Sequence, residues 1–99
     1  MTKAYVLIRT SVPYEPTHSQ KVDTEPQGPG LSSLRVIESL LKVGGVVEAS
    51  RILQTSGIKD LFDVVAIVEA EDAAEIRRIV AEQIQPIHGV RWTNTAIPI

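Results

Sequence analysis

Two histidines, His18 and His88, and two aspartates, Asp60 and Asp63, are the side chains of this chain best suited to proton transfer or metal ligation. Neither histidine has a second histidine or a carboxylate at metal-ligand spacing. His18 falls among prolines and His88 just ahead of the last apolar run, where an imidazole is ordinarily exposed or structural. Asp60 and Asp63 stand three apart, and in extended chain such residues point to opposite faces, which does not make an acid–base couple. There is no cysteine, which excludes disulfides, thiol nucleophiles and thiolate-bound metals. No serine is set in a nucleophile elbow. Gly28-Pro29-Gly30 and Gly44-Gly45 lack the lysine and the strand-to-helix setting of a phosphate loop, so both read as turns. The inventory points away from bond chemistry, and the chain is read as not an enzyme, with neither cofactor nor metal.

Binding is better supported. Asp63 enters a strand that is otherwise strongly apolar, where an acidic side chain is costly without a partner. Either it sits at the strand end facing water or pairs with an edge-strand arginine such as Arg51 or Arg91, or it awaits the ammonium group of a ligand. Thr93 and Thr95 project from one face of the last strand, a placement that β-propensity alone explains.

The elements that must position these residues follow from periodicity. Ala4-Tyr5-Val6-Leu7-Ile8, in a strand from Lys3 to Thr10, is apolar on both alternating faces, and so is Phe62 to Val68. Both runs need cover above and below. Between Ser11 and Gly30, Pro13, Pro16, Pro26 and Pro29 exclude regular structure over most of the segment. This 11–30 insertion reads as a mobile surface loop, with a lid or intersubunit arm anchored by Tyr14 as the functional alternative. A helix is expected from Leu31 to Lys42, its apolar stripe Leu34/Ile37/Leu41 widened by Val36 and Leu40, capped by Ser32 or Ser33 and stopped by Gly44-Gly45. A more polar strand, Val46 to Gln54, leads through a turn at Ser56-Gly57 to the strand Phe62–Glu69. Asp72 and Glu75 then open a second helix as a capping box. Its stripe is Ile76/Ile79/Val80/Ile84, Pro86 ends it, and Glu75, Arg77, Arg78 and Glu82 form a solvated face. The last strand runs from Gly89 to Ile97.

The order β-α-β-β-α-β with right-handed crossovers gives an α+β, ferredoxin-like four-stranded antiparallel sheet in the order 4-1-3-2. It makes strands 1 and 3 central, and these are the two runs apolar on both faces. Two helices cover one face of the sheet. A second copy of the chain is the simplest cover for the other, as in a dimeric α/β barrel.

With 99 residues the chain is one domain, 1–99. A net charge of −2 and the lack of a lysine or arginine cluster give no footprint for direct nucleic-acid binding. The apolar run after Lys3 stops at Arg9, too short for a signal peptide or membrane span, so a cytoplasmic protein is expected.

From Val46 to Ile99 the sequence resembles the effector-binding half of the leucine-responsive regulatory protein (Lrp/AsnC) family, the regulation-of-amino-acid-metabolism domain. The matching features are Val46-Val47-Glu48-Ala49, a glycine turn, Phe62-Asp63-Val64, and Gly89-Val90-x-x-Thr93-x-Thr95-x-Ile97. The resemblance implies sheet-to-sheet homodimers that associate into rings, with a small effector, usually an amino acid, bound between dimers. It assigns Gly57, Asp63, Thr93 and Thr95 to that site: a carboxylate answers the α-ammonium and backbone N–H groups answer the α-carboxylate. Ile58 to Leu61 make the turn after Gly57 longer than the family's. The sequence begins at the first strand, where family regulators carry a helix-turn-helix. The expectation is therefore a stand-alone effector module that partners with itself, with an amino acid and with a full-length regulator of the same family. The alternative is a small dimeric α/β-barrel enzyme acting on a hydrophobic metabolite, with Asp63, Tyr5 and Arg9 as its inward polar residues.

Overall fold

The computed structural model describes residues 1–10, 29–52 and 62–99. Along the chain come β1 (Thr2–Thr10), α1 (Pro29–Leu40), β2 (Val46–Arg51), β3 (Val64–Ala70), α2 (Ala73–Ile79, prolonged by a π-helical turn at Val80–Ile84) and β4 (Val90–Ala96). The strands form one antiparallel sheet in the order β2-β3-β1-β4, the expected 4-1-3-2 read from the other edge. The fold is α+β and ferredoxin-like. Strand ends differ by a few residues from the expected ones, and the 11–28 stretch of the proline-rich insertion, with Tyr14 and His18, lies outside the described residues.

Alternation along the two central strands divides the sheet cleanly. Ala4, Val6, Ile8 and Thr10 of β1 and Val64, Ala66, Val68 and Ala70 of β3 are buried, and they pack with Val36, Leu40, Ile76, Ile79, Val80 and Ile84 of the helices. The intervening residues Tyr5, Leu7, Val65 and Ile67 point to the other face. They remain exposed or half-buried, and among the described residues no element covers them.

One expectation about α1 needs correction. The helix starts at Pro29, so residues 32 and 33 lie inside it rather than capping it. Proline suits a first helical position, because its missing N–H would have no intrahelical acceptor there. The buried face is Ser33, Val36 and Leu40, with Ile37 half-buried, whereas Leu34 and Leu41 are 44% and 54% exposed. The helix is rotated by about one position from the predicted stripe.

α2 starts at its predicted cap, with the Asp72 half of the capping box formed and the Glu75 carboxylate turned to Arg78 instead of back to the cap. Asp72 accepts a hydrogen bond from the Glu75 backbone N–H (2.9 Å), and Arg78 joins Glu75 to Glu82 on the solvent side. The Arg78 guanidinium, by hydrogen-bonding Glu75, holds that carboxyl below its usual range, and the two carboxylates in turn raise the arginine.

The two helix-to-strand turns repeat each other. The Val43 N–H donates to the Leu40 carbonyl and the Val46 N–H to that of Val43; likewise Ile87 to Ile84 and Val90 to Ile87. Each turn closes on a glycine with positive φ, Gly45 (+100°) and Gly89 (+103°), a region side chains rarely enter. Each glycine also seats the opposite helix. A Cβ on Gly45 would lie 3.0 Å from Ile79 Cδ1, and one on Gly89 would lie 2.9 Å from Val36 Cγ2.

Candidate functional site

The sheet end where β1 finishes and β3 begins holds the acidic residue singled out from the sequence. Asp63 is still part of the ladder through its backbone: its N–H donates to the Ile8 carbonyl and its own carbonyl accepts from the Ile52 N–H, both at 3.0 Å. Its carboxylate faces Thr10. Oδ1 accepts from the Thr10 backbone N–H (2.9 Å) and Oδ2 from the Thr10 hydroxyl (2.5 Å). Thr10 is 1% exposed, so neither donor has water as a substitute. The register of β1 against β4 shifts between Arg9 and Thr10. At this break the carboxylate caps the strand end and partners both of these Thr10 donors. The partner of Asp63 is therefore Thr10, not the expected Arg51 or Arg91. A carboxylate has about four acceptor positions. Thr10 occupies two of them.

Beside this corner, Trp92 stands opposite Arg9 in the β1–β4 ladder and is 48% exposed. The Arg9 guanidinium carbon lies 6.0 Å and that of Arg91 5.6 Å from the ring centroid, within cation–π range. Trp92 and Thr10 were not among the candidates from sequence. Only the strand register brings them to Arg9 and Asp63.

Thr93 and Thr95 pair with Ile8 and Val6, which places both on the helix-covered side of the edge strand β4. Both are half-buried, and the Thr93 hydroxyl accepts from Gln85 Nε2 (3.1 Å). Gln85 follows the π-helical turn, where its backbone N–H reaches Val80 (2.8 Å). Asp63 and the two threonines thus flank β1 from opposite sides. Gly57, with Ser56, Lys59 and Asp60, lies outside the described residues.

At the far end of the sheet an open depression of about 540 Å³ is lined by residues that include Met1, Gly45, Glu69, Glu71, Asp72 and Glu75. Asp72 is committed to its helix and Glu75 to Arg78. Among the described residues no group of His, Asp and Glu is arranged to hold a metal ion, and no helix is long and apolar enough to cross a membrane.

The class defined by this architecture is a small ferredoxin-like α+β domain with one sheet face that no described element covers. No protein-family model and no curated protein matches the sequence. Among solved structures the chain is similar to TTHA0845 from Thermus thermophilus (TM-score 0.70, 22% identity, 100% of this chain and 94% of that one). It is also similar to FFRP-DM1 (0.67, 20%, 100% of both chains). A third likeness is the hypothetical protein PHS023 from Pyrococcus horikoshii (0.67, 21%, 100% of this chain and 90% of that one). At such identities these similarities establish the fold.

Proposed function

We propose that this chain is an effector-binding assembly module of the kind found in Lrp/AsnC-like regulators, acting by binding rather than by bond chemistry. Two copies pack through their open sheet faces, dimers associate further, and an amino acid or related small metabolite binds between subunits. The observation that carries this reading is the open face itself: Tyr5, Leu7, Val65 and Ile67 form its centre on the two middle strands. Full burial of such side chains contributes about 1.5–3 kcal/mol each, and a sheet facing water is ordinarily polar at its centre. The sequence resemblance over 46–99 supports the same reading. So does the likeness in fold to FFRP-DM1, a feast/famine regulatory protein of Lrp/AsnC type.

The effector site fits an intersubunit position. Asp63 keeps acceptor positions for an α-ammonium, while Thr93 and Thr95 lie across β1 from it. Ligand binding would shift the assembly equilibrium by its differential affinity for the assembled and dissociated states. Native mass spectrometry with and without a pool of proteinogenic amino acids tests this. Even-numbered oligomers that gain the mass of one amino acid per site support the reading. A monomer that binds nothing in the pool refutes it.

A further inference from the structure

The open sheet face carries four charged residues at register positions the ladders fix. Lys3 and Glu69 stand opposite each other at one end, Arg9 beside Trp92 at the other, and Glu48 on the edge strand β2 opposite Ile67. The cationic corner, Arg9 with Trp92 and the neighbouring Arg91, is thus diagonally opposite the acidic corner, Glu48 with Glu69. Arg9 and Glu48 are two strands and four residues apart, roughly 16 Å at ordinary sheet spacings, so they do not pair within one chain. No ion pair forms at Arg9, Arg91 or Glu48 among the described residues. Between the corners lies the apolar centre.

From this layout we infer that the face is self-complementary in one orientation: two copies pack with sheets nearly orthogonal, each Arg9–Trp92 corner lying over the partner subunit's Glu48. The inference rests on the assembly reading above and adds to it the orientation and the residues that set it. In an isologous pair a contact from i to j is repeated from j to i. A two-fold axis in the interface plane, perpendicular to the line joining the corners, exchanges them and makes the Arg9–Glu48 contact twice. It also brings Glu69 near the partner subunit's Asn94. Orthogonal crossing is one of the two ordinary classes of sheet packing.

The other simple axes are worse. An axis across the strands lays Arg9 over the partner subunit's Lys3, a like-charge contact. An axis along the strands matches Lys3 with Glu69 but sets Glu48 against Ala96. It sets Arg9 over the partner subunit's Asp63, a carboxylate that Thr10 already shares, in place of the unshared Glu48. Unpaired charges at an interface are costly, whereas complementary rim charges fix its register.

The test is a charge exchange between two variants, Arg9→Glu and Glu48→Arg. Each homodimer would set like charges together twice, and its dissociation constant should rise about tenfold or more over wild type. Mixed, the two variants should form a heterodimer within a few-fold of wild-type affinity, since both contacts are attractive again. Sedimentation velocity on each protein and on an equimolar mixture reads this directly, and far-ultraviolet circular dichroism confirms that the variants are folded. The wild-type dimer should also weaken as salt rises from about 0.05 to 0.5 M. Variants that dimerise like wild type, or a mixture without rescue, overturn the orientation while leaving face-to-face assembly standing. Rescue by Lys3→Glu with Glu69→Lys instead indicates the axis along the strands and equally overturns it. A wild-type chain that stays monomeric at every concentration defeats the assembly reading itself.

Discussion

Replacing Asp63 by alanine isolates the strand-end contact between Asp63 and Thr10. The carboxylate accepts from the Thr10 N–H at 2.9 Å and from its hydroxyl at 2.5 Å, and Thr10 is almost wholly buried. Truncation leaves both donors without this acceptor at a part-buried strand end. Each orphaned donor costs about 1–3 kcal/mol. The hydroxyl recovers part of this by rotating toward a nearby carbonyl, which leaves a net loss of about 2–4 kcal/mol. For a domain of this size that corresponds to a fall in melting temperature of roughly 10 °C or more. Thr10→Val removes the hydroxyl donor but keeps the backbone N–H on Oδ1, and should cost only about 1–1.5 kcal/mol. The double variant should then be less destabilised than the sum of the two, with an interaction term of about 1 kcal/mol. The assay is chemical unfolding followed by circular dichroism, at one fixed protein concentration because assembly is linked to stability. An Asp63→Ala stability within about 0.5 kcal/mol of wild type, or strict additivity with Thr10→Val, would refute the view of Asp63 as a strand-end cap.

Two further outcomes follow from the helices. Leu40→Ala should destabilise by about 2–5 kcal/mol and Leu41→Ala by less than about 1 kcal/mol, because only Leu40 is buried; comparable losses at both positions in unfolding measurements would place the α1 stripe where the sequence alone puts it. Arg78 holds the Glu75 carboxyl below its ordinary value of 4.5, so this carboxylate's contribution is present above that value and is lost as the pH falls through the depressed one. The protection of α2 amides, corrected for the pH dependence of intrinsic exchange, should therefore fall as the pH drops through that depressed value, and Glu75→Gln should flatten that dependence. An unchanged profile in Glu75→Gln would show that the pair does not support the helix.

Local pattern was enough for the fold and too little for the contacts. The doubly apolar runs at 4–8 and 62–68 identify the central strands because only a sandwiched strand needs apolar residues at odd and even positions alike. Asp72 and Glu75 mark the start of α2 because the capping contact spans three residues and is fully local. In α1, Val36/Leu40 and Leu34/Leu41 both repeat at helical spacing, so periodicity does not choose between them. The choice is made by Gly89, whose bare backbone sits against Val36. The repeated turns, Leu40-x-x-Val43-x-Gly45-Val46 and Ile84-x-x-Ile87-x-Gly89-Val90, carry that information in the sequence as a spacing across the two halves. Thr10, the partner of Asp63, lies 53 residues away and is visible only through the β1–β3 register. The spacing of Thr93 and Thr95 puts them on one face; that it is the helix side follows from their partners Ile8 and Val6.

The distribution of charge over the sheet bears on why the open face is built as it is. On the helix side the central strands hold no charged residue: Ala4, Val6, Ile8, Val64, Ala66 and Val68 are all buried. The same strands on the open side read Lys3, Tyr5, Leu7, Arg9 and Val65, Ile67, Glu69, with apolar residues at the middle and charges at the ends. Folding of one copy requires only the first set, because a face left in water is satisfied by threonine, lysine or glutamate at every position. An apolar centre within a charged and polar rim is instead the anatomy of a protein interface, where the centre supplies affinity and the rim selects partner and register. Because Arg9 and Glu48 are diagonal rather than adjacent, distance keeps these two from pairing within one chain, and in the proposed two-fold dimer symmetry pairs them between copies. On the proposed assembly, the residues that folding leaves free on this face are the ones that would distinguish a second copy of this chain from any other apolar surface.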